Sequence, residues 1–225
     1  MKSATWRWTA AALFAAAVLF VALRYRETSV ADSGAPGESC IADSIDTLRL
    51  ASTIPTCSKN DWLCRGNCLA GKAESCLGLA YASETAKPDD AIRFYHQACL
   101  LGLANACTNY AANIWLHTHS GRQLTCARRT FDKACAAKEP FACGMVGRIM
   151  LESTSPPAFA EGRKYLEAAC DKVGGFPCRV LAKHFESGKL GPYPPGLVRT
   201  LLSRACAGGD PDACGEPPTA SQTFR

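Results

Sequence analysis

Residues 91–107 read AIRFYHQACLLGLANAC, and that stretch contains the unit from which the chain is built. Ala91 and Tyr95 stand four apart and lead into an Ala98-Cys99 pair. A turn containing Gly102 follows, and seven residues separate Cys99 from Cys107. The same seven-residue gap separates Cys68/Cys76, Cys135/Cys143, Cys170/Cys178 and Cys206/Cys214, and the first members of the five pairs are spaced by 31, 36, 35 and 36 residues. A period in the thirties is the signature of a stacked repeat array.

Alignment on the first cysteine brings out a helix. The residue before it is Ala98, Ala134, Ala169 or Ala205; four before it stand Tyr95, Phe131, Leu166 and Leu202; eight before it stand Ala91, Ala127, Gly162 and Val198. These offsets form one apolar stripe at helical spacing. Arg93, Arg128, Arg129, Arg163, Lys164 and Arg199 occupy the intervening, solvated positions. After the second cysteine a second helical pattern begins. Four residues on stand Ala80, Ala111, Gly147 and Ala182, a recurrent small position where two helices can approach closely. Gly102, Gly208 and Gly209 suit a helix C-terminus, and Lys87-Pro88-Asp89, Ser155-Pro156-Pro157 and Gly191-Pro192 mark looser connections. The unit is helix, tight turn, helix, loop.

This geometry accounts for the cysteine spacing. A cysteine in the last turn of one helix faces another in the first turn of the next, near a corner where Cα atoms come within the 4.4–6.8 Å that a disulfide needs. Closing a nine-residue loop is worth roughly 2.5 kcal/mol in the chain-entropy model. Zinc ligands usually stand two to four residues apart, a spacing these pairs lack. Four other cysteines fall outside the pattern. Cys57 and Cys64 are close enough for a sixth, local bridge. Cys40 and Cys126 remain open: paired with each other, free, or linked to a partner. A free Cys126 thiol beside Arg128 and Arg129 would be activated by their charge; the alternative is a small apolar helix residue.

The chain has 225 residues, 48% of them hydrophobic and 20% charged, with a net charge of +5. No Lys/Arg cluster tracks a phosphate backbone, which argues against a nucleic-acid partner. Paired cysteines point to an oxidising compartment. Thr9 to Leu23 is an uninterrupted apolar run flanked by Lys2, Arg7, Arg24 and Arg26. At 1.5 Å per residue it spans roughly 22 Å, short of a hydrocarbon core of about 30 Å unless Trp6, Trp8 and Tyr25 sit at the interfaces. Residues 1–26 are therefore expected to be a membrane anchor, with a cleaved signal ending near Ser29-Val30-Ala31 as the alternative. Residues 27–39 read as a flexible tether, residues 40–214 as the array and residues 215–225 as a disordered tail. Gly215-Glu216-Pro217-Pro218 permits no further helix.

The combination of period, Ala-Cys, turn glycine and repeated cysteine gap resembles the Sel-one-like repeat, a relative of the tetratricopeptide repeat, in its disulfide-rich secreted form. The resemblance covers roughly residues 60–214 and extends to Cys76-Leu77-Gly78-Leu79-Ala80-Tyr81. It departs at Asn109-Tyr110, where Leu-Gly is expected, and at Asn67, where Ala is expected. It implies an all-α fold, an α/α solenoid (superhelix) of about four to five disulfide-stapled helix-turn-helix repeats. It also implies a scaffold that binds proteins or peptides on its concave face. Some cysteine-rich members are described as penicillin-binding and weakly β-lactam-hydrolysing, which gives an alternative function.

Enzyme signatures are otherwise absent. No Ser-x-x-Lys, G-x-S-x-G, H-E-x-x-H, Walker A, G-x-G-x-x-G or C-x-x-C occurs. No catalytic residue, metal or cofactor is expected; His117 and His119, in a polar loop without a carboxylate pair, read as plain loop. Positions one, five and eight after the second cysteine are expected on the exposed inner face. They include Tyr81, Trp115, Arg148, Arg179 and Lys183, aromatic toward the N-terminus and basic toward the C-terminus. Such a surface would take an extended peptide with an apolar anchor and an acidic or carboxylate end. The expected protein is an extracytoplasmic (periplasmic or secreted) scaffold tethered to a membrane; a mitochondrial intermembrane-space assembly factor is a further alternative.

Overall fold

The computed structural model describes residues 40–58, 61–118, 120–152 and 155–215. Within them the chain forms nine α-helices: α1 (Trp62–Leu69), α2 (Ala73–Ser83), α3 (Pro88–Leu100), α4 (Ala104–His117), α5 (Gly121–Ala136), α6 (Pro140–Glu152), α7 (Pro156–Val173), α8 (Gly175–Glu186) and α9 (Leu197–Ala207). No strand occurs among the described residues; one isolated parallel bridge joins Arg49 to Leu103. Each helix packs on the next, and α6 also touches both α4 and α8. The fold is an α/α solenoid of four helix pairs (α1/α2, α3/α4, α5/α6, α7/α8) and a closing half-unit. In that half-unit a short 3-10 turn, Pro211–Ala213, takes the place of a second helix.

All fourteen cysteines are oxidised. The five periodic bridges are Cys68–Cys76, Cys99–Cys107, Cys135–Cys143, Cys170–Cys178 and Cys206–Cys214, with Cα atoms 4.5 to 4.8 Å apart. Cys57–Cys64 is the sixth bridge and Cys40–Cys126 the seventh. No thiol therefore remains at Cys126, which removes the reactive-thiol alternative. With no free cysteine among fourteen, the chain is built for an oxidising environment.

Four of the second cysteines lie in the first turn of the next helix, as the corner geometry expects: Cys76, Cys107, Cys143 and Cys178 are each the fourth residue of their helices. The first turn must be wound for the sulfur to point back at the corner. Cys214 departs from this, because it follows the 3-10 turn and belongs to no helix. The sulfurs of Cys143 and Cys178 also stand 3.5 Å from the carbonyl oxygens of Cys135 and Cys170, and that of Cys214 the same distance from the Asp210 carbonyl. A thiol there could donate a weak hydrogen bond, but a disulfide sulfur has no hydrogen. These are close contacts of the tight corner, not hydrogen bonds.

The corner is the same structure four times. The amide three residues past the first cysteine (Gly71, Gly102, Lys138, Gly209) donates to that cysteine's carbonyl. In all four, the next amide reaches back to the residue before the cysteine: Lys72 to Asn67 at 2.9 Å, and Leu103 to Ala98, Glu139 to Ala134 and Asp210 to Ala205, each at 3.1 Å. Two orphan carbonyls of the helix end are thereby satisfied by one left-handed residue. The alanine next to the cysteine is nearly or wholly inaccessible in all four units that carry it, so only a small side chain fits there. Tyr95, Phe131 and Leu166 are fully buried four residues before the cysteine. In α9 the register shifts by one: Leu201 is buried and Leu202 only half-buried, because no second helix closes over it.

Residues 40–58 form an element the period does not announce. They run back along the array from the third unit to the first. Cys40 is bonded to Cys126 of α5, and Ile41, Ala42 and Ile45 are buried. Lys133 of α5 donates to the Ile45 carbonyl at 2.7 Å. Arg49 exchanges backbone hydrogen bonds with Gly102 and Ala104, both 2.9 Å, and its guanidinium pairs with Glu74 of α2. Pro55 then lies over Gly78, where an added Cβ would meet its carbonyl at 2.5 Å. Cys57 closes the path onto α1 through Cys64. No helix among the described residues is long and apolar enough to cross a membrane; the apolar run at 9–23, the tether at 27–39 and residues 216–225 lie outside them.

Candidate functional site

The helices that carry the second cysteine of each pair (α2, α4, α6, α8) make the inner layer, as the direct contacts of α6 with α4 and α8 require. Together with the closing turn they line one groove of about 600 Å³. Its walls come from Tyr81 on α2; Asn105, Thr108, Asn109, Ala112 and Leu116 on α4; Phe141, Met145 and Arg148 on α6; and Phe176 and Arg179 on α8. Glu139 and Asp212 contribute from the two corners.

The lining recurs at fixed offsets from the second cysteine. Two before it stand Asn105, Phe141 and Phe176; two after it Asn109 and Met145; five after it Tyr81, Ala112 and Arg148; nine after it Leu116. Steps of three and four trace one helical stripe. Three expected residues, Tyr81, Arg148 and Arg179, thus line the groove. Trp115 and Lys183 do not. Position eight turns off the stripe: Leu151 is fully buried, and Trp115 packs edge-on against Phe131 at 6.5 Å. Lys183, at position five of the last inner helix, is exposed beyond the groove's end. The residues two before the cysteine, Phe141 and Phe176, were missed. Two aromatic residues at the same offset in consecutive units were the available signal.

Apolar surface dominates. Phe141 and Tyr81 are each 41% exposed and Leu116 67%, although the stripe is otherwise half-buried or buried. Phe176 bridges the two apolar cores of the array and also faces the groove. Tyr81 stacks edge-on with Tyr95 at 5.9 Å. Burial above all, then the charge of Glu84 and, more weakly, that of Glu139, pushes the Tyr81 hydroxyl above the usual tyrosine range, while its hydrogen bond with Asn109 pulls the other way. Tyr95, buried and donating to Glu84, is pushed up as well. Both phenols are neutral donors at physiological pH.

The basic end differs from its sequence reading, because both arginines are already paired. Arg179 donates to Asp210 at 2.7 Å and approaches Asp212 at 3.5 Å. Arg148 donates to Glu152 at 3.1 Å. Both guanidiniums also lie over the Phe176 ring, 5.8 and 5.9 Å from its centroid. Glu139, by contrast, is 1% exposed and, among the described residues, held by neutral donors alone. These are the Thr108 hydroxyl at 2.7 Å, the Ala142 amide at 2.7 Å and the Phe141 amide at 3.3 Å.

Other constellations do not assemble. Cys57, Asp61 and Cys64 bring ligand atoms within 4.8 Å of one another, but both sulfurs are consumed by the disulfide and Asp61 caps α1 through the Cys64 amide. His117 ends α4 and is exposed; His119 lies outside the described residues. No protein-family model and no curated protein matches the chain.

Proposed function

We propose that the chain is a Sel-one-like repeat protein of an extracytoplasmic compartment, tethered to a membrane by residues 1–26, and that its inner groove binds an extended segment of a protein partner. One observation carries this reading. Three large apolar side chains, Tyr81, Leu116 and Phe141, are left open to solvent along a single stripe shared by successive inner helices. Exposed apolar residues gathered in a concavity, rather than scattered, mark a binding surface.

The groove's rim already handles extended backbone. Asn105, one of the lining residues, accepts the amide of Ala51 from the chain's own N-terminal segment at 3.0 Å. An amide side chain bonding a backbone N–H supplies register, while apolar pockets supply affinity; this is how extended segments are commonly recognised. The seven disulfides fit a scaffold that must keep its curvature outside the reducing cytosol.

The test is selection of randomised twelve-residue peptides on the oxidised full chain. Selected peptides should lose at least tenfold in affinity with Phe141→Ala or Leu116→Ala and keep their affinity with Lys164→Ala on α7. Failure to select any binder, or binders indifferent to Phe141 and Leu116, overturns the reading.

A further inference from the structure

We infer that the segment bound in the groove is basic: it presents a large apolar side chain with a lysine or arginine next to it. This rests on the groove reading above and adds the sign of the ligand's charge. It reverses the expectation that Arg148 and Arg179 would capture an acidic or carboxylate end.

The argument is one of charge compensation. Four charged residues line the groove, Glu139, Asp212, Arg148 and Arg179, and both guanidiniums are already engaged by carboxylates behind the lining, Arg148 by Glu152 and Arg179 by Asp210. The arginines are satisfied twice over, by carboxylates and by the Phe176 face. An acidic ligand would have to displace those partners and then sit among the carboxylates it displaced. Glu139 has no cation within ion-pair distance among the described residues. Its amide partners at the start of α6 supply about half a positive charge, which leaves the rest of the field directed into a low-dielectric concavity. With both guanidiniums engaged, the carboxylates left over set the sign of the groove, and its apolar walls strengthen their pull on a cation. Asp212, with a 73% exposed side chain, extends the negative potential to the mouth.

The apolar part of the ligand has its place beside this charge. Phe141 and Met145 come from α6, beside Arg148 and the corner residue Glu139 that precedes the helix, and Phe176 faces them from α8. A lysine or arginine stem could lie on these rings while its head reaches the exposed Asp212 carboxylate, a geometry that long cationic side chains favour.

The peptides selected on the oxidised full chain carry the test. Lysine and arginine should be enriched beside the aromatic or large aliphatic anchor. In a selected peptide, exchanging those residues for glutamate should weaken binding to the unaltered protein at least tenfold, as read by fluorescence polarisation. Asp212→Asn, at an exposed site, should cost the basic peptide about threefold without moving the melting curve. Asp212→Asn with Glu139→Gln should cost about tenfold and improve the glutamate version. Phe141-dependent binders enriched in aspartate or glutamate, or showing no charge preference, would overturn the inference and leave the groove reading standing. Absence of any Phe141-dependent binder would overturn both.

Discussion

Gly71, Gly102 and Gly209 adopt left-handed backbone with φ of 85–87° three residues after the first cysteine of their pairs, and Lys138 holds the same place at φ 68°. An L-residue with a Cβ is strained there by about 1–2 kcal/mol, whereas glycine is not. The turn survives because the hydrogen bonds from Lys138 to Cys135 and from Glu139 to Ala134 impose it. Lys138→Gly should therefore stabilise the array by about 0.5–1 kcal/mol once glycine's greater freedom in the unfolded chain is allowed for. Guanidinium unfolding under non-reducing conditions reads this directly; a lower midpoint would contradict it. The sequence showed glycine at the other corners and so marked the position. It did not show that Glu139, the next residue, turns its carboxylate inward, because that depends on Thr108 arriving from the preceding unit.

Between elements, the close approaches are made by glycines. Gly147 of α6 and Gly162 of α7 face each other, and a Cβ on either would lie 2.7 Å from the other's carbonyl oxygen. Both were visible in sequence, since each occupies a small position of the repeat. Gly208 is a different case. Its φ of −82° is open to any residue, yet a Cβ there would collide with the Gly175 nitrogen and stand 2.8 Å from the Val173 carbonyl oxygen. The C-terminus of α9 sits directly on the α7/α8 corner, and only backbone is present on both sides. Gly208→Ala should cost about 3 kcal/mol, since rigid backbone must move to admit the methyl. Thermal unfolding of the oxidised chain would show it as a lowered midpoint; Gly188→Ala, with open space around it but φ of 74°, should cost about 1 kcal/mol. Equal effects at the two sites would show that close packing is not what Gly208 provides.

For the whole molecule, the decisive connection is Cys40–Cys126, which spans 86 residues. The periodic bridges are local and each stabilises its own corner. This one fastens the returning segment 40–58 across three units, so that any pull on the N-terminus is borne by α5 rather than α1. Replacing both cysteines by serine should cost about 4 kcal/mol in the chain-entropy model. It should also open residues 41–56 to limited proteolysis while the stapled helix pairs stay resistant. Unchanged cleavage and an unchanged unfolding midpoint would show that buried Ile41, Ala42 and Ile45 hold the segment without the bond. By itself the sequence determined the repeat, its helix pairs, its five corner disulfides and the oxidising compartment, because each follows from contacts between residues fewer than forty apart that recur with the period. The pairing of Cys40 with Cys126, the reversal of the N-terminal segment and the charge of the groove were decided only in three dimensions. The first two depend on distant surfaces meeting, as Ile45 meets Lys133, while the groove depends on how side chains of neighbouring units turn toward each other, Thr108 on Glu139 and Asp210 on Arg179. A period read along the chain carries no information about the partners a residue finds across it.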